Sequence, residues 1–205
     1  WCVAPGRRVA IFGNNSDAHR AAADLLEAGV HVSALIDARA EATCDLDLPF
    51  YPGGQVINTQ GRKGLESIVV HTAKGREKIQ ADCLAVSGGW NPTVHLTCHM
   101  NGRPTWQDDI AAFVPTPGSI PGLEAAGAAS GVMETRACLQ NGVEVATRAL
   151  ADLGLSAPDM DVPDASDSPY DVTPLWAVPG KGRAWLDFQN DVSVKDIKQA
   201  AQENF

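Results

Sequence analysis

The strongest constraint in this chain is the order of apolar run, glycine, helical spacing, apolar run and acid over residues 8–37. Arg8-Val9-Ala10-Ile11-Phe12-Gly13 closes on glycine, and Val32-Ser33-Ala34-Leu35-Ile36-Asp37 closes on a carboxylate. Between them, residues 17–28 have a helical pattern expected to bury Ala21, Leu25 and Ala28, with Ala18 and Ala22 beside them. The pattern predicts a βαβ unit of the dinucleotide-binding type. Its first turn faces a pyrophosphate, and its acid accepts from ribose hydroxyls. The expected cofactor contacts are Gly13, Asn14, Asn15, Ser16 and Asp37, with Gly88 and Gly89 at the turn after a later strand. An acid at position 37 favours NAD over NADP, although Arg39 lies close enough to blur that choice.

The turn departs from G-x-G-x-x-G/A, because only Gly13 and Ala18 match. Asn15 replaces the glycine that lets backbone approach a phosphate, and Asp17 puts a negative charge where the helix dipole would favour an anion. Ser16 and the asparagine amides retain donors. Two readings stay open: a working nucleotide site, or a dinucleotide-type half kept for its fold.

The 205 residues suffice for one core with an appendage, and a net charge of −9 argues against nucleic acid, which needs a basic footprint. No run of about 18 apolar residues is present, and no basic segment leads into an apolar core at the start. Five scattered cysteines without a C-x-x-C pair read as reduced thiols of a cytoplasmic protein. The opening on Trp1 and the stop at Phe205 within a helical pattern suggest a piece of something longer.

Residues 38–54 read as loop. Val56–Thr59, Leu65–Thr72 and the stretch toward Ile79 read as an antiparallel meander, and Cys83–Ser87 as a return to the buried parallel sheet. Residues 94–121 read as irregular, with Phe113-Val114 a short strand. Leu123–Gly131 reads as a strand and small-residue turn before a helix to about Leu153, whose buried side holds Val132, Cys138, Val145, Ala149 and Leu150. The glycines at 127 and 131 would either approach a cofactor or serve packing. Five aspartates between Asp159 and Asp171, with no Lys or Arg, mark a solvated linker or arm over 156–180. A last strand, turn and helix follow, with Ser193 and Asp196 at capping-box spacing and Val194, Ile197 and Ala201 on one face. His95, Cys98 and His99 are metal-ligand types in a loop without a fourth partner, so no metal site is assigned. His19 and His71 read as surface or edge residues, and no nucleophile–base arrangement is visible.

Three segments carry a resemblance: Gly13–Ala18, Ala85–Leu96 and Leu186–Val192. Together they resemble the alpha subunit of heterotetrameric sarcosine oxidase, and the element order is similar to the pyridine nucleotide–disulfide oxidoreductase fold. The expected class is α/β: a Rossmann-like parallel sheet with an antiparallel meander insertion and a small C-terminal strand-helix unit. The resemblance implies a dinucleotide-binding half at 1–112 and a returning strand and helix of a flavin-type half at 113–155. An acidic linker at 156–180 and a truncated strand-helix unit at 181–205 complete the order.

For the parent enzyme the resemblance implies oxidative demethylation of sarcosine to glycine, formaldehyde and hydrogen peroxide. It implies beta, gamma and delta partner subunits. FAD and FMN belong to the beta subunit and its interface, while NAD and tetrahydrofolate belong to alpha. The first glycine-rich motif is expected before Trp1, and the folate region after Phe205. Ala128 stands where related flavoproteins carry an acid, and residues 184–205 contain no cysteine to ligate an iron–sulfur cluster. The segment is expected to be inert alone, with no catalytic residue. The rivals are a ligand-free Rossmann-type interaction scaffold and the large subunit of a related amino-acid or opine dehydrogenase.

Overall fold

The computed structural model describes residues 3–165, 169–180 and 182–205. Trp1, Cys2, Lys181 and, within the acidic arm, Asp167 lie outside the described residues. The chain forms two units, one running to Gly88 and completed by Pro174–Phe205, the other Gly89–Thr173.

The first unit is built on a four-stranded parallel sheet. Strand β1 (Arg8–Gly13) leads through helix α1 (Asp17–Glu27) to β2 (His31–Asp37), and β3 (Phe50–Pro52) follows after a loop. Strands β4 (Gln55–Gln60), β5 (Ser67–Thr72) and β6 (Gly75–Gln80) form the antiparallel meander, and β7 (Cys83–Ser87) returns to the parallel sheet. The order β3-β2-β1-β7 aligns Gly13 with Asp37 on one side and Ser87 on the other, at the carboxyl ends of all three strands. The fold class is the mixed α/β arrangement expected, with Gly13 at the tip of its strand.

Both sheet faces are apolar, as parallel strands covered on two sides require. Val9, Ile11, Val32 and Leu35 pack with Ala18 and Ala22 of α1. On the other face Ala10, Ala34 and Ile36 meet Ile68, Val70 and Ile79 of the meander. Val32 and Leu35 share a face despite an odd spacing, because the β1–β2 register slips between Val9 and Ala10 and leaves Ser33 as an extra residue. Its hydroxyl is buried without a partner.

Three expectations in this unit change. Pro49–Pro52 is not all loop, since Leu35, Ile36 and Asp37 recruit Phe50, Tyr51 and Pro52 as a third parallel strand. Helix α1 buries Ala18 and Ala22 while Ala21 and Ala28 face solvent, which rotates its inner stripe from the expected one. Strand β7 returns to the parallel sheet as its outer strand, but it is not buried throughout, and Val86 is 67% exposed.

In the second unit, residues 95–99 coil into a short helix α2 (His95–His99) where loop was expected. Strands β8 (Thr105–Gln107) and β9 (Ala112–Val114) form a hairpin. Leu123–Ala126 pairs with no strand among the described residues, and leads into a 3₁₀ turn at Gly127–Ser130 and then α3 (Thr135–Asp152). Cys138, Val145 and Leu150 are half-buried along α3, whereas Ala149 is exposed.

The C-terminal element of the first unit pairs β10 (Trp185–Asp187) with β11 (Val192–Ser193) before α4 (Val194–Gln202). Asp187 accepts from the Gln189 and Asn190 backbone N–H groups and holds the turn. Asp196 accepts from both the Ser193 N–H and its hydroxyl at 2.7 Å, satisfying the helix start as the capping-box spacing anticipates. Val194 is half-buried, but Ile197 and Ala201 are exposed, so the expected apolar face is uncovered within the described residues.

Gly13 is required by contact. A Cβ there would lie 2.4 Å from Cβ of Ala18 and force β1 off α1. Gly13→Ala is expected to destabilise the chain by about 1–3 kcal/mol in urea denaturation, the range for overpacking a tight core. A loss below about 0.5 kcal/mol, within the range of neutral surface changes, would contradict that contact.

Candidate functional site

The residues expected to contact a dinucleotide do converge at the carboxyl edge of the parallel sheet. Asn14 and Asn15 bridge β1 to β7 there. The Asn14 N–H donates to the Ser87 carbonyl at 3.3 Å. Asn15 is 1% exposed, and its carboxamide is saturated. Nδ2 donates to Asn14 Oδ1 at 2.9 Å and to the Ser87 carbonyl at 3.0 Å. Oδ1 accepts from the Asp17 N–H and from the Ser87 hydroxyl, each at 3.0 Å. A primary amide has two donors and two lone pairs, and all four are used inside the chain. The Asp17 N–H, an anion-facing donor at the start of α1, is spent on the same side chain.

Asp37 is more fully committed. Its side chain is completely buried at the end of β2. Oδ1 accepts from the Arg39 N–H at 2.9 Å and from Arg39 Nε at 3.0 Å, and Oδ2 accepts from an Arg39 terminal nitrogen at 2.7 Å. His19 Nε2 on α1 sits 2.6 Å from Oδ2, with its ring edge against Phe50. Arg39 also donates to the Ser16 hydroxyl at 3.4 Å. Burial pushes the Asp37 carboxyl up. The side-chain and backbone bonds from Arg39, the His19 bond and the Arg39 charge outweigh it and hold the group below the ordinary carboxylate range. The sequence reading put His19 on the surface. Its place in the first turn of α1, facing the end of β2, is the signal for its position beside the acid.

The remaining candidates separate. Gly88 has open space around it. Gly89, at φ +100°, lies against Tyr170: a Cβ there would be 2.7 Å from the tyrosine hydroxyl, which accepts the Trp90 N–H at 2.8 Å. The Gly127 N–H donates to Asn141 Oδ1 on α3 at 2.8 Å. A Cβ on Gly131 would meet Val114 at 2.7 Å, so the small residues of that turn serve packing on β9. Among the described residues no three metal-ligating side chains gather, and His95, Cys98 and His99 are all exposed on α2. No helix among the described residues is long and apolar enough to cross a membrane.

The sequence has relatives along nearly its whole length. The chain is 39% identical over 99% of its length to the sarcosine oxidase alpha subunit of Rhizobium meliloti, and 30% identical over 97% of its length to that of a Corynebacterium species. It spans about a fifth of those subunits, 21% and 22% respectively. The family described as the sarcosine oxidase A3 domain matches residues 181–205. Among solved structures, L-proline dehydrogenase from P. horikoshii superposes on all of this chain and 39% of its own, with a TM-score of 0.60 at 17% identity, which shows a shared fold. The resemblance to sarcosine oxidase alpha subunits therefore runs over nearly every residue.

The Asp37 cluster makes a pH-dependent contribution of known sign. Its folded pKa lies below the unfolded value of about 3.9, so the stabilisation is complete above that value and is lost as pH falls through the folded pKa. Asp37→Asn leaves the Arg39 guanidinium without its counter-charge and is expected to cost about 3 kcal/mol near neutral pH. The gap between wild type and variant should narrow below about pH 4 in urea denaturation. A gap independent of pH would show that the carboxylate is not its source.

Proposed function

We propose that this chain, alike over nearly all its length to a fifth of a sarcosine oxidase alpha subunit, serves in such a subunit as a dinucleotide-type scaffold and contact surface. In this reading the parent complex oxidatively demethylates sarcosine, consuming water and oxygen and releasing glycine, formaldehyde and hydrogen peroxide. FAD, FMN and tetrahydrofolate are held outside these residues, the beta, gamma and delta subunits are the partners, and the complex works in the cytoplasm. Residues 113–155 supply the returning segment of a flavin-type half, and the chain alone carries no catalytic residue.

The observation that carries the scaffold reading is the internal saturation of Asp37. A ribose hydroxyl would need a lone pair on this carboxylate, and four donors from Arg39 and His19 already take them. Asn15 is saturated in the same way at the turn. A second reading, NAD at Gly13, Asn14, Asn15, Ser16, Asp37, Gly88 and Gly89, is favoured by the position of Gly13 at its strand tip. It requires Arg39 to yield the acid to the ribose.

Calorimetric titration with NAD at millimolar concentration distinguishes the two. No saturable heat and no thermal shift are expected. Saturable binding that disappears in Asp37→Asn would establish the second reading.

A further inference from the structure

The meander of the first unit carries a charge pattern that the Asp37 edge does not use. On β6, Glu77 and Ile79 lie opposite Val70 and Ile68 of β5, whose side chains are in the core, so Arg76 and Lys78 project from the other face. Lys74 precedes them in the β5–β6 turn, and all three cations are exposed. Across the ladder Arg76 faces His71 and Lys78 faces Val69, so no carboxylate of β5 stands opposite either. Glu77, the one acid of the strand, accepts from the Tyr51 hydroxyl at 2.7 Å. The chain has 25 acidic against 16 basic side chains, yet among the described residues none of these three cations makes an ion pair. Like charges along one strand repel, and here that repulsion is left uncompensated in a chain rich in counter-charge. Strand β6 is also an outer strand, bordered in its sheet by β5 alone.

We propose that β6 is the docking edge for an extended acidic segment of a partner protein, which adds beside it with alternate carboxylates against Lys74, Arg76 and Lys78. A strand paired in register sets every second side chain beside those of its neighbour on one face, so acids two residues apart match these cations. Main-chain bonds along the outer edge supply affinity, and the charges select the partner. The same cations deter pairing with a second copy of β6, because basic strands repel each other. Nucleic acid fits less well: the stripe is only about 14 Å long at the rise of a strand, in a chain whose net charge of −9 opposes a polyanion. A chain that serves as a contact surface, the reading proposed above on which this rests, makes its contact here. NAD calorimetry probes Asp37 and not β6, so either can fail alone.

The probe is a short labelled peptide alternating glutamate and threonine, titrated with the whole chain and read by fluorescence anisotropy. Saturable binding is expected, weakening as salt rises. Hydrogen exchange over β6, residues 75–80, should slow in the bound state. Arg76→Glu/Lys78→Glu turns two attractions into repulsions and should weaken binding about tenfold or more. Lys195→Glu/Lys198→Glu makes the same change in net charge on α4 and should alter binding by less than about twofold, since remote exposed charges are screened. Circular dichroism matching the wild type verifies folding, and if the β6 double variant does not fold, Lys74→Glu in the turn is read in its place. Absence of saturable binding, equal loss in both double variants, slowed exchange confined to other strands, or tighter binding of a single-stranded oligonucleotide of the same charge would each overturn the proposal.

Discussion

A carboxylate buried at the end of a parallel strand cannot be left without donors, and the structure around Asp37 follows from that. The cost of an unpaired charge in the interior far exceeds the worth of any single surface contact. Here the donors come from two residues: Arg39, through both its backbone and its side chain, and His19 on α1. Because Asp37 also aligns with Gly13 and Pro52, the same charge ties the crossover helix and the loop toward β3 to the edge of the sheet. In a nucleotide-binding relative of this architecture, part of that demand is met by a ribose. Here Arg39 and His19 meet it from within the chain.

The turn repeats the logic with a neutral group. A glycine at position 15 would leave backbone N–H groups facing outward, ready for phosphate oxygens. Asparagine instead supplies a side chain whose two donors and two acceptors reach Asn14, Asp17 and the carbonyl and hydroxyl of Ser87. It cross-links the ends of β1 and β7 and covers the helix start in one step. The substitution that weakens the phosphate signature is therefore also a source of rigidity, and the position of Gly13 is kept for packing against Ala18.

The parallel sheet was legible because its strands are long apolar runs and its crossover has helical spacing, signals that need no tertiary information. The meander and the capped final helix were legible for similar reasons, since turn residues and the Ser193/Asp196 spacing act locally. Strand β3 was hidden. Phe50-Tyr51-Pro52 lies among prolines and glycines, and only the unpaired edge of β2 makes it a strand. The inner face of α1 was misjudged by part of a turn because apolar spacing alone does not fix a helix's rotation. That rotation depends on the close approach of Ala18 to Gly13. The site residues could be named from the pattern, yet their commitment could not. Whether Asp37 is open or filled depends on the reach of Arg39 and His19, which only side-chain geometry reveals.

Filling a site from within has a thermodynamic consequence. A ligand entering an empty cleft replaces water, but one entering this edge would have to displace bonds already made at 2.6–3.0 Å to a buried carboxylate. Each broken charged bond forfeits about 1.5–3 kcal/mol before the new contacts count, and a ribose hydroxyl returns less than a guanidinium does. Restoring affinity would therefore require removing the internal donors as well as restoring the glycine of the turn. A Gly at position 15 alone would free the amides while leaving Asp37 occupied. The loss of the phosphate signature and the capture of the acid reinforce each other, which favours a fold kept for its shape.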